Sequence, residues 1–273
     1  MSGPLPSALV AALDEAARVD RLLVALDFDG TLAPFETDPE RSRALPASVA
    51  ALGRLVGLPG TTVALVSGRA LEALAQLAEE SGLPAERLAL VGSHGLEVRW
   101  TDGTVQPVDL TAQESQALAE ADARLTEIAR AAEEKGVAGA WVGRKPVSVT
   151  LHTRPVEDRK QAGKLEARAI AAGESLPGVW VLPGKRVVEL TVRRGDKGRA
   201  VLALAGRAHA AAVLYAGDDV TDEHAFAVLR PERGDVGIHV GPGRTAAQFR
   251  VDGLLDVADA LTRLSAARED APA

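Results

Sequence analysis

Short apolar runs alternate with longer amphipathic stretches over the first ninety or so positions. Leu22-Leu23-Val24-Ala25-Leu26, Thr62-Val63-Ala64-Leu65-Val66 and Leu88-Ala89-Leu90-Val91 are the runs. Each is too short for a lone helix and fits a strand covered on both faces, as in a parallel sheet. The stretches around them carry helical spacing. Residues 6–18 place Leu9, Ala12, Leu13 and Ala16 on one side, and Pro46 opens a helix with Val49, Leu52, Leu55 and Val56 on one face. Proline suits a first helical turn, and Gly57, Pro59 and Gly60 stop that helix. A third helix carries Leu71, Leu74, Leu77 and Ala78 on its apolar side, and Pro34 to Arg43 is polar and reads as a loop. Strands alternating with helices predict a parallel sheet with right-handed crossovers.

The rhythm then changes. Leu96 to Trp100 and Thr104 to Val108 flank Asp102-Gly103, a hairpin signal. An Ala-rich helix spans roughly 111–135 with Leu118, Leu125 and Ile128 marking its core face. Strands follow at 140–144 and 147–153, where Val147, Val149 and Leu151 alternate with Ser148, Thr150 and His152. That alternation predicts an antiparallel sheet with one face covered and one open. A helix at about 157–172 precedes strands at 179–182 and 186–192, joined by Pro183-Gly184-Lys185 as a turn. After Gly195 the first rhythm returns, with helices at 197–205, 221–229 and 254–264 and strands at 212–216 and 237–240. The expected fold is α/β: a doubly wound, mostly parallel sheet core in two segments, 1–105 and 193–273. An inserted α+β cap, an antiparallel sheet plus two helices at 106–192, lies between them. The small, polar tail from Ser265 to Ala273 is expected to fray.

Composition adjusts this picture little. Of 273 residues 47% are apolar and 25% charged, an ordinary water-soluble balance, and aromatics at 3% leave the core to Ala, Val and Leu. A net charge of −7 argues against nonspecific nucleic-acid binding. The absence of cysteine excludes disulfides, thiolate metal sites and cysteine nucleophiles. No apolar run is long enough for a membrane span, and the first twenty residues lack a basic leader followed by an apolar core. A cytoplasmic protein with no membrane partner is the expectation.

Four polar sets fall at strand ends or at the start of the next helix: Asp27/Asp29/Thr31, Ser67, Lys197 and Asp218/Asp219/Asp222. In open α/β sheets ligands bind beyond the carboxyl ends of strands. Two acids at such an end repel unless a cation or a reaction needs them. Taken singly, Ser67 could be an N-cap, Lys197 a solvated lysine, and Asp218 and Asp219 acids that favour a helix dipole.

As a set they resemble the haloacid dehalogenase superfamily of phosphotransferases. Asp27-Phe28-Asp29-Gly30-Thr31, Ser67, Asp196-Lys197-Gly198 and Gly217-Asp218-Asp219-x-x-Asp222-Glu223 match its four motifs in order. The resemblance implies that Asp27 is a nucleophile carrying the phosphoryl group as an acyl phosphate. Asp29 is then the acid that protonates the leaving alkoxide and the base that activates water. It implies Mg²⁺ held by Asp27, the main-chain carbonyl of Asp29 and Asp218, with Asp219 and Asp222 as outer or alternate ligands. Thr31, Ser67, the backbone N–H groups of Gly68 and Arg69, and Lys197 would bind the phosphate.

Within that superfamily the chain is similar to trehalose-6-phosphate phosphatases. The matches are Leu32-Ala33-Pro34, Val66-Ser67-Gly68-Arg69, Gly92-Ser93-His94-Gly95-Leu96-Glu97, Ser148 to Arg154, and Gly184 to Leu190. It departs at Thr153, where tyrosine is common, and at Thr191-Val192, in place of arginine-proline. The resemblance implies hydrolysis of trehalose 6-phosphate to trehalose and phosphate, the last step of trehalose biosynthesis, and a functional link to a trehalose-6-phosphate synthase. Glu97, Arg144, Lys145, His152, Lys185 and Glu189 are residue types suited to sugar hydroxyls and phosphate, while His94 is expected to fix its loop. Other readings are a phosphatase for sucrose phosphate or mannosyl phosphoglycerate, a phospho-acceptor module, and an inactive sugar-phosphate sensor. Asp29 and the cap argue against the phospho-acceptor module, and the presence of both Asp27 and Asp29 argues against the sensor.

Overall fold

A computed structural model describes residues 4–36, 38–106 and 108–271. The chain begins with α1 (Ser7–Ala16), β1 (Leu22–Leu26), α2 (Pro46–Leu55), β2 (Thr61–Val66) and α3 (Leu71–Glu80). Next come β3 (Ala89–Gly92), β4 (Glu97–Arg99), β5 (Val105–Gln106), α4 (Ala112–Glu133), β6 (Trp141–Lys145), β7 (Ser148–His152) and α5 (Arg159–Glu174). The remainder is β8 (Trp180–Gly184), β9 (Val187–Thr191), α6 (Lys197–Ala208), β10 (Ala212–Gly217), α7 (Glu223–Phe226), β11 (Val236–Val240), β12 (Phe249–Val251) and α8 (Leu254–Glu269). They form two compact units, Met1–Pro107 with Gly195–Ala273, and Val108–Arg194. None of the described helices is long and apolar enough to cross a membrane.

The first unit is an eight-stranded sheet ordered β12-β11-β10-β1-β2-β3-β4-β5. Pairing is parallel from β12 through β3 and antiparallel at the β3–β4 and β4–β5 edge. All five residues of β1 are buried because they alternate between two helix layers. Leu22, Val24 and Leu26 join the cluster of Leu9, Leu52, Leu74 and Leu261, from α1, α2, α3 and α8. Leu23 and Ala25 join Val201, Leu204 and Phe226, from α6 and α7. This two-sided cover is why the strand shows no polar alternation. With β10 and β2 as the neighbours of β1, the carboxyl ends of all three come side by side.

The second unit is a four-stranded antiparallel sheet, β6-β7-β9-β8. Val149, Leu151, Val188 and Leu190 pack with Leu125 and Ile128 of α4 and Leu165 and Ala169 of α5. Thr111 starts α4 with a capping box, its hydroxyl accepting from Glu114 N–H while Glu114 accepts from Thr111 N–H.

Several expectations need correction. The turn between β8 and β9 is Lys185-Arg186, with Arg186 at φ 65°, and Pro183-Gly184 stays in β8. Pro183 is tolerated there because β8 is an edge strand, where a missing N–H costs nothing. The 221–229 helix is a 3₁₀ turn, Val220–Asp222, followed by the four residues of α7. β12 was not expected. The tail does not fray at Ser265, since α8 runs to Glu269. The Arg268 guanidinium donates to Thr61 Oγ1 and to the carbonyls of Ala17, Val19, Asp20 and Pro59, tying the helix to the lower edge of the sheet. Thr37 of the predicted 34–43 loop, Pro107 of the hairpin, and Pro272 and Ala273 of the tail lie outside the described residues.

Candidate active site

β1 delivers Asp27, whose N–H donates to Ala216 O of β10 at 2.9 Å. Asp196 caps α6 by accepting from Arg199 N–H, so Lys197 becomes the first helical residue. A cation at that end opposes the helix dipole, and here two carboxylates offset it. Lys197 Nζ donates to Asp27 Oδ1 at 2.8 Å and to Asp222 Oδ1 at 2.7 Å, with its side chain 2% exposed. Asp222 is in turn held at both oxygens. Its Oδ1 accepts from Tyr215 OH at 2.6 Å and its Oδ2 from Asp219 N–H at 2.9 Å.

Two glycines make room for this cluster. A Cβ at Gly217 would fall 2.3 Å from Asp222 Cγ, and one at Gly30, where φ is +85°, would fall 2.2 Å from Asp218 Oδ2. Glycine tolerates both the close approach and the left-handed backbone.

Asp27, Asp218 and Asp222 offer carboxylate oxygens within 4.8 Å of one another. Burial raises Asp27 to about 8, with Asp222 and Asp218 pushing the same way against Lys197. Burial, then Asp222 and Asp219, raises Asp218 to about 7. Burial works to lower Lys197, but Asp27 and Asp222 outweigh it and hold the ammonium above its usual range. Burial above all also raises Tyr215 well above its ordinary value, so it is a neutral donor to Asp222. The cluster therefore gathers more acidic groups than one ammonium can keep ionised, and without a further cation they tend to hold protons. Asp218 Oδ1 is buried with no hydrogen-bond partner among the described residues. Hard oxygen donors, acids that lack cations to ionise them and an unpaired buried oxygen suit a divalent cation, and this acidic triad could hold one.

The other expected residues divide into those near this cluster and those elsewhere. Asp29 is half-buried, and both its oxygens are engaged by the Arg69 side chain, with the Ser42 hydroxyl adding a bond to Oδ1. Thr31 Oγ1 is buried without a hydrogen-bond partner among the described residues. Ser67 follows β2, and its Oγ accepts from Arg69 N–H at 3.2 Å. A Cβ on Gly68 would lie 2.4 Å from the His94 ring, so that imidazole packs directly on the turn. Asp219 is exposed and accepts from the Thr221 hydroxyl. Glu97 is engaged elsewhere: its Oε2 accepts from Ser93 Oγ at 2.5 Å and from Leu71 N–H at 3.3 Å, at the start of α3. A carboxylate suits that helix end.

In the second unit Lys145, Ser148, Glu189 and His152 share the sheet face away from the helices. Glu189 accepts from Ser148 Oγ at 2.6 Å and from Lys145 Nζ at 3.4 Å. His152 stacks on Trp141 with centroids 3.8 Å apart, and burial, then Arg154 and Lys145, lowers its pKa. Arg144 is not on that face. It points to α4, where it bonds Asp122 and Thr126, because neighbours on a strand face opposite ways. Lys185 is exposed in the β8–β9 turn.

Sequence reasoning missed Tyr215, Ser42, Trp141 and the side-chain role of Arg69. The one signal available was that Tyr215, the sole tyrosine, lies inside an apolar strand just before Gly217-Asp218, and a buried hydroxyl needs a partner.

The fold and the motifs have known counterparts. The family model described as trehalose-phosphatase matches residues 25–253. A trehalose-phosphate phosphatase of Mycobacterium ulcerans is 33% identical over 96% of this chain, and the chain spans 66% of that relative's length. One of Mycobacterium tuberculosis is 32% identical over 98% of this chain and 68% of its own length. Among solved structures, the C-terminal domain of a C. albicans trehalose-6-phosphate phosphatase shares the fold with a TM-score of 0.73. It is 21% identical, covering 97% of this chain and 98% of that one. The family match runs from Ala25 in β1 past Glu223 and so takes in every motif residue placed above, and on that ground the chain belongs to the trehalose-phosphatase family.

Proposed function

We propose that this chain hydrolyses trehalose 6-phosphate to trehalose and phosphate through an aspartyl-phosphate intermediate. The observation that carries the reading is Asp27, fixed at the end of β1 by Lys197 and set among Asp218 and Asp222. Lys197 holds Oδ1 of Asp27, leaving Oδ2 to attack phosphorus. As the new P–O bond forms, the bond from phosphorus to the sugar oxygen breaks, and Asp29 gives that oxygen a proton. Asp29 then takes a proton from the water that cleaves the acyl phosphate. Lys197 offsets negative charge building between nucleophile and phosphoryl group, and Asp222, held by Tyr215, keeps Lys197 in place. Thr31, Ser67 and the N–H groups of Gly68 and Arg69 take phosphoryl oxygens. Asp27, Asp218 and the main-chain carbonyl of Asp29 would hold Mg²⁺, with Asp222 and Asp219 behind them, and the ion would neutralise the phosphate dianion as it nears these acids.

Val108–Arg194 is, in this proposal, the substrate-recognition unit. Its sheet face away from the helices, with the half-buried Lys145, Glu189 and His152, takes sugar hydroxyls, and Lys185 joins from the turn. Arg144 and Glu97 have no part in it, given the partners that hold them. With that substrate come a cytoplasmic location and a functional link to the synthase that makes trehalose 6-phosphate.

The test is phosphate release from a panel of sugar phosphates, with Mg²⁺ and with chelator. Mg²⁺-dependent release from trehalose 6-phosphate, lost in Asp27→Asn by at least about 10³-fold, is expected. Full activity in Asp27→Asn would sink the covalent route. Preference for another sugar phosphate would move the substrate assignment and leave the chemistry standing.

A further inference from the structure

Asp29 is held more elaborately than an acid–base residue needs merely to exist. Arg69 grips it with two parallel bonds, Nε to Oδ2 at 2.6 Å and Nη2 to Oδ1 at 2.7 Å. The Ser42 hydroxyl lies 2.9 Å from Oδ1 and 3.2 Å from Pro34 O, so its one proton reaches either acceptor. Ser42 is fully buried, and the Arg69 and Asp29 side chains are 17% and 22% exposed. A carboxylate oxygen accepts about two hydrogen bonds. With Ser42 turned to Asp29, Oδ1 is filled and Oδ2 keeps one open position. The fork fixes the carboxylate plane, which a single bond would leave free to rotate. Arg69 belongs to the turn after β2 and Asp29 to the turn after β1, adjacent parallel strands, so two strand ends set the geometry together.

We propose that Arg69, seconded by Ser42, is the positioning residue for Asp29, aiming the open position of Oδ2 at the leaving oxygen. The inference rests on the acid–base assignment of Asp29 made above. When the bond from phosphorus to the sugar oxygen breaks, the proton on Oδ2 passes to that oxygen, and the resulting carboxylate stays in the fork. Lysine cannot replace the fork, since an ammonium is a point charge with no planar pair of donors.

The experiment measures single-turnover phosphoryl transfer in the full chain with Mg²⁺. One substrate is trehalose 6-phosphate, whose alkoxide must be protonated, and the other is 4-nitrophenyl phosphate, whose phenolate leaves without a proton. The variants are Asp29→Asn, Arg69→Gln, Arg69→Lys, Ser42→Ala and the double variant Asp29→Asn/Arg69→Gln. Arg69→Gln should slow the sugar phosphate by about 10²-fold, part of the range open to acid–base catalysis, and the aryl phosphate by no more than about threefold. Arg69→Lys should stay close to Arg69→Gln, Ser42→Ala should lose less than either, and the double variant should be no slower than Asp29→Asn alone, as residues acting as one unit behave.

Equal losses of Arg69→Gln on both substrates, with a raised KM, would show the guanidinium gripping the phosphoryl group directly and would overturn the inference. So would additive losses in the double variant, a comparison made on the sugar phosphate alone. If Asp29→Asn itself lost as much on the aryl as on the sugar phosphate, the acid assignment of Asp29 would fall and this inference with it. Melting temperatures for all variants separate folding defects from positioning, and Arg69→Lys and Ser42→Ala decide the matter if Arg69→Gln does not fold.

Discussion

Two ammonium–carboxylate contacts in different units of this chain are built on opposite terms. Lys197 and Asp27 meet at 2.8 Å with side chains 2% and 6% exposed, and Lys145 and Glu189 at 3.4 Å with 24% and 20% exposed. In the first, every partner is itself held: Asp222 by Tyr215 and a backbone N–H, Lys197 by two acids. Water is excluded, so charges act at short range and strongly. In the second, Glu189 leans on Ser148, and the lysine is at the outer limit of a contact. Such a pair loses little by exchanging partners for hydroxyls. The buried constellation suits chemistry, which needs atoms kept in place, and the half-open one suits recognition.

The largest effect should come from Lys197→Met. Two carboxylates would remain buried without their ammonium, and removing one partner of a buried pair costs about 3–5 kcal/mol. Urea unfolding should show that loss together with loss of turnover. A stability change below about 1 kcal/mol would mean that the buried pair is no more binding than the half-open one.

Next comes the response to pH. Asp27 and Asp218 are raised to about 8 and about 7, above the usual carboxylate range near 4. Between those limits the folded chain holds more protons than the unfolded chain, so stability falls as pH rises. With chelator the melting temperature should therefore drop from pH 5 to pH 8, and Asp218→Asn should shallow the slope. A divalent cation should offset most of the drop at pH 8. A metal-free curve flat across this window would contradict the raised affinity of Asp27 and Asp218 for protons in the folded chain.

Smaller still is Glu189→Gln. It should raise KM for trehalose 6-phosphate about tenfold, with kcat held within about threefold and stability within about 0.5 kcal/mol. A large loss of kcat with unchanged KM would put Glu189 among the reacting groups and erase the distinction between the two pairs.

Much of the contrast could be read from the chain. β1 showed itself because burial on two faces leaves an uninterrupted apolar run, and the alternation in β7 marked the face that packs on the helices, although Ser148 and Thr150 on its other face are buried too. The acids and Lys197 were visible because strand ends are where such residues collect. Side-chain reach was not visible. Arg69 entered the reading through its backbone N–H, because the fork on Asp29 exists only once β1 and β2 lie side by side. Ser42 sits in a loop with no period to mark it. Glu97 looked like a sugar ligand because nothing local reveals that it caps the start of α3. β12 escaped because three residues with an exposed arginine in the middle make no apolar run.

The finest test uses neighbours on one strand. Arg144 and Lys145 adjoin in β6, and period-two alternation sends them to opposite faces. Arg144 reaches Asp122 of α4 at 2.8 Å as a largely exposed pair, while Lys145 joins Glu189 on the face away from the helices. Arg144→Ala should leave KM for trehalose 6-phosphate within about twofold and cost about 0.2–1 kcal/mol of stability, as exposed ion pairs do. Lys145→Ala should raise KM about tenfold and leave stability nearly unchanged. Both follow from face alone, since the two residues carry the same charge and differ by one position. If Arg144→Ala raised KM as much as Lys145→Ala, recognition would have to reach around the strand to the helix side. The face away from the helices would then no longer be what sets this unit apart from the buried site.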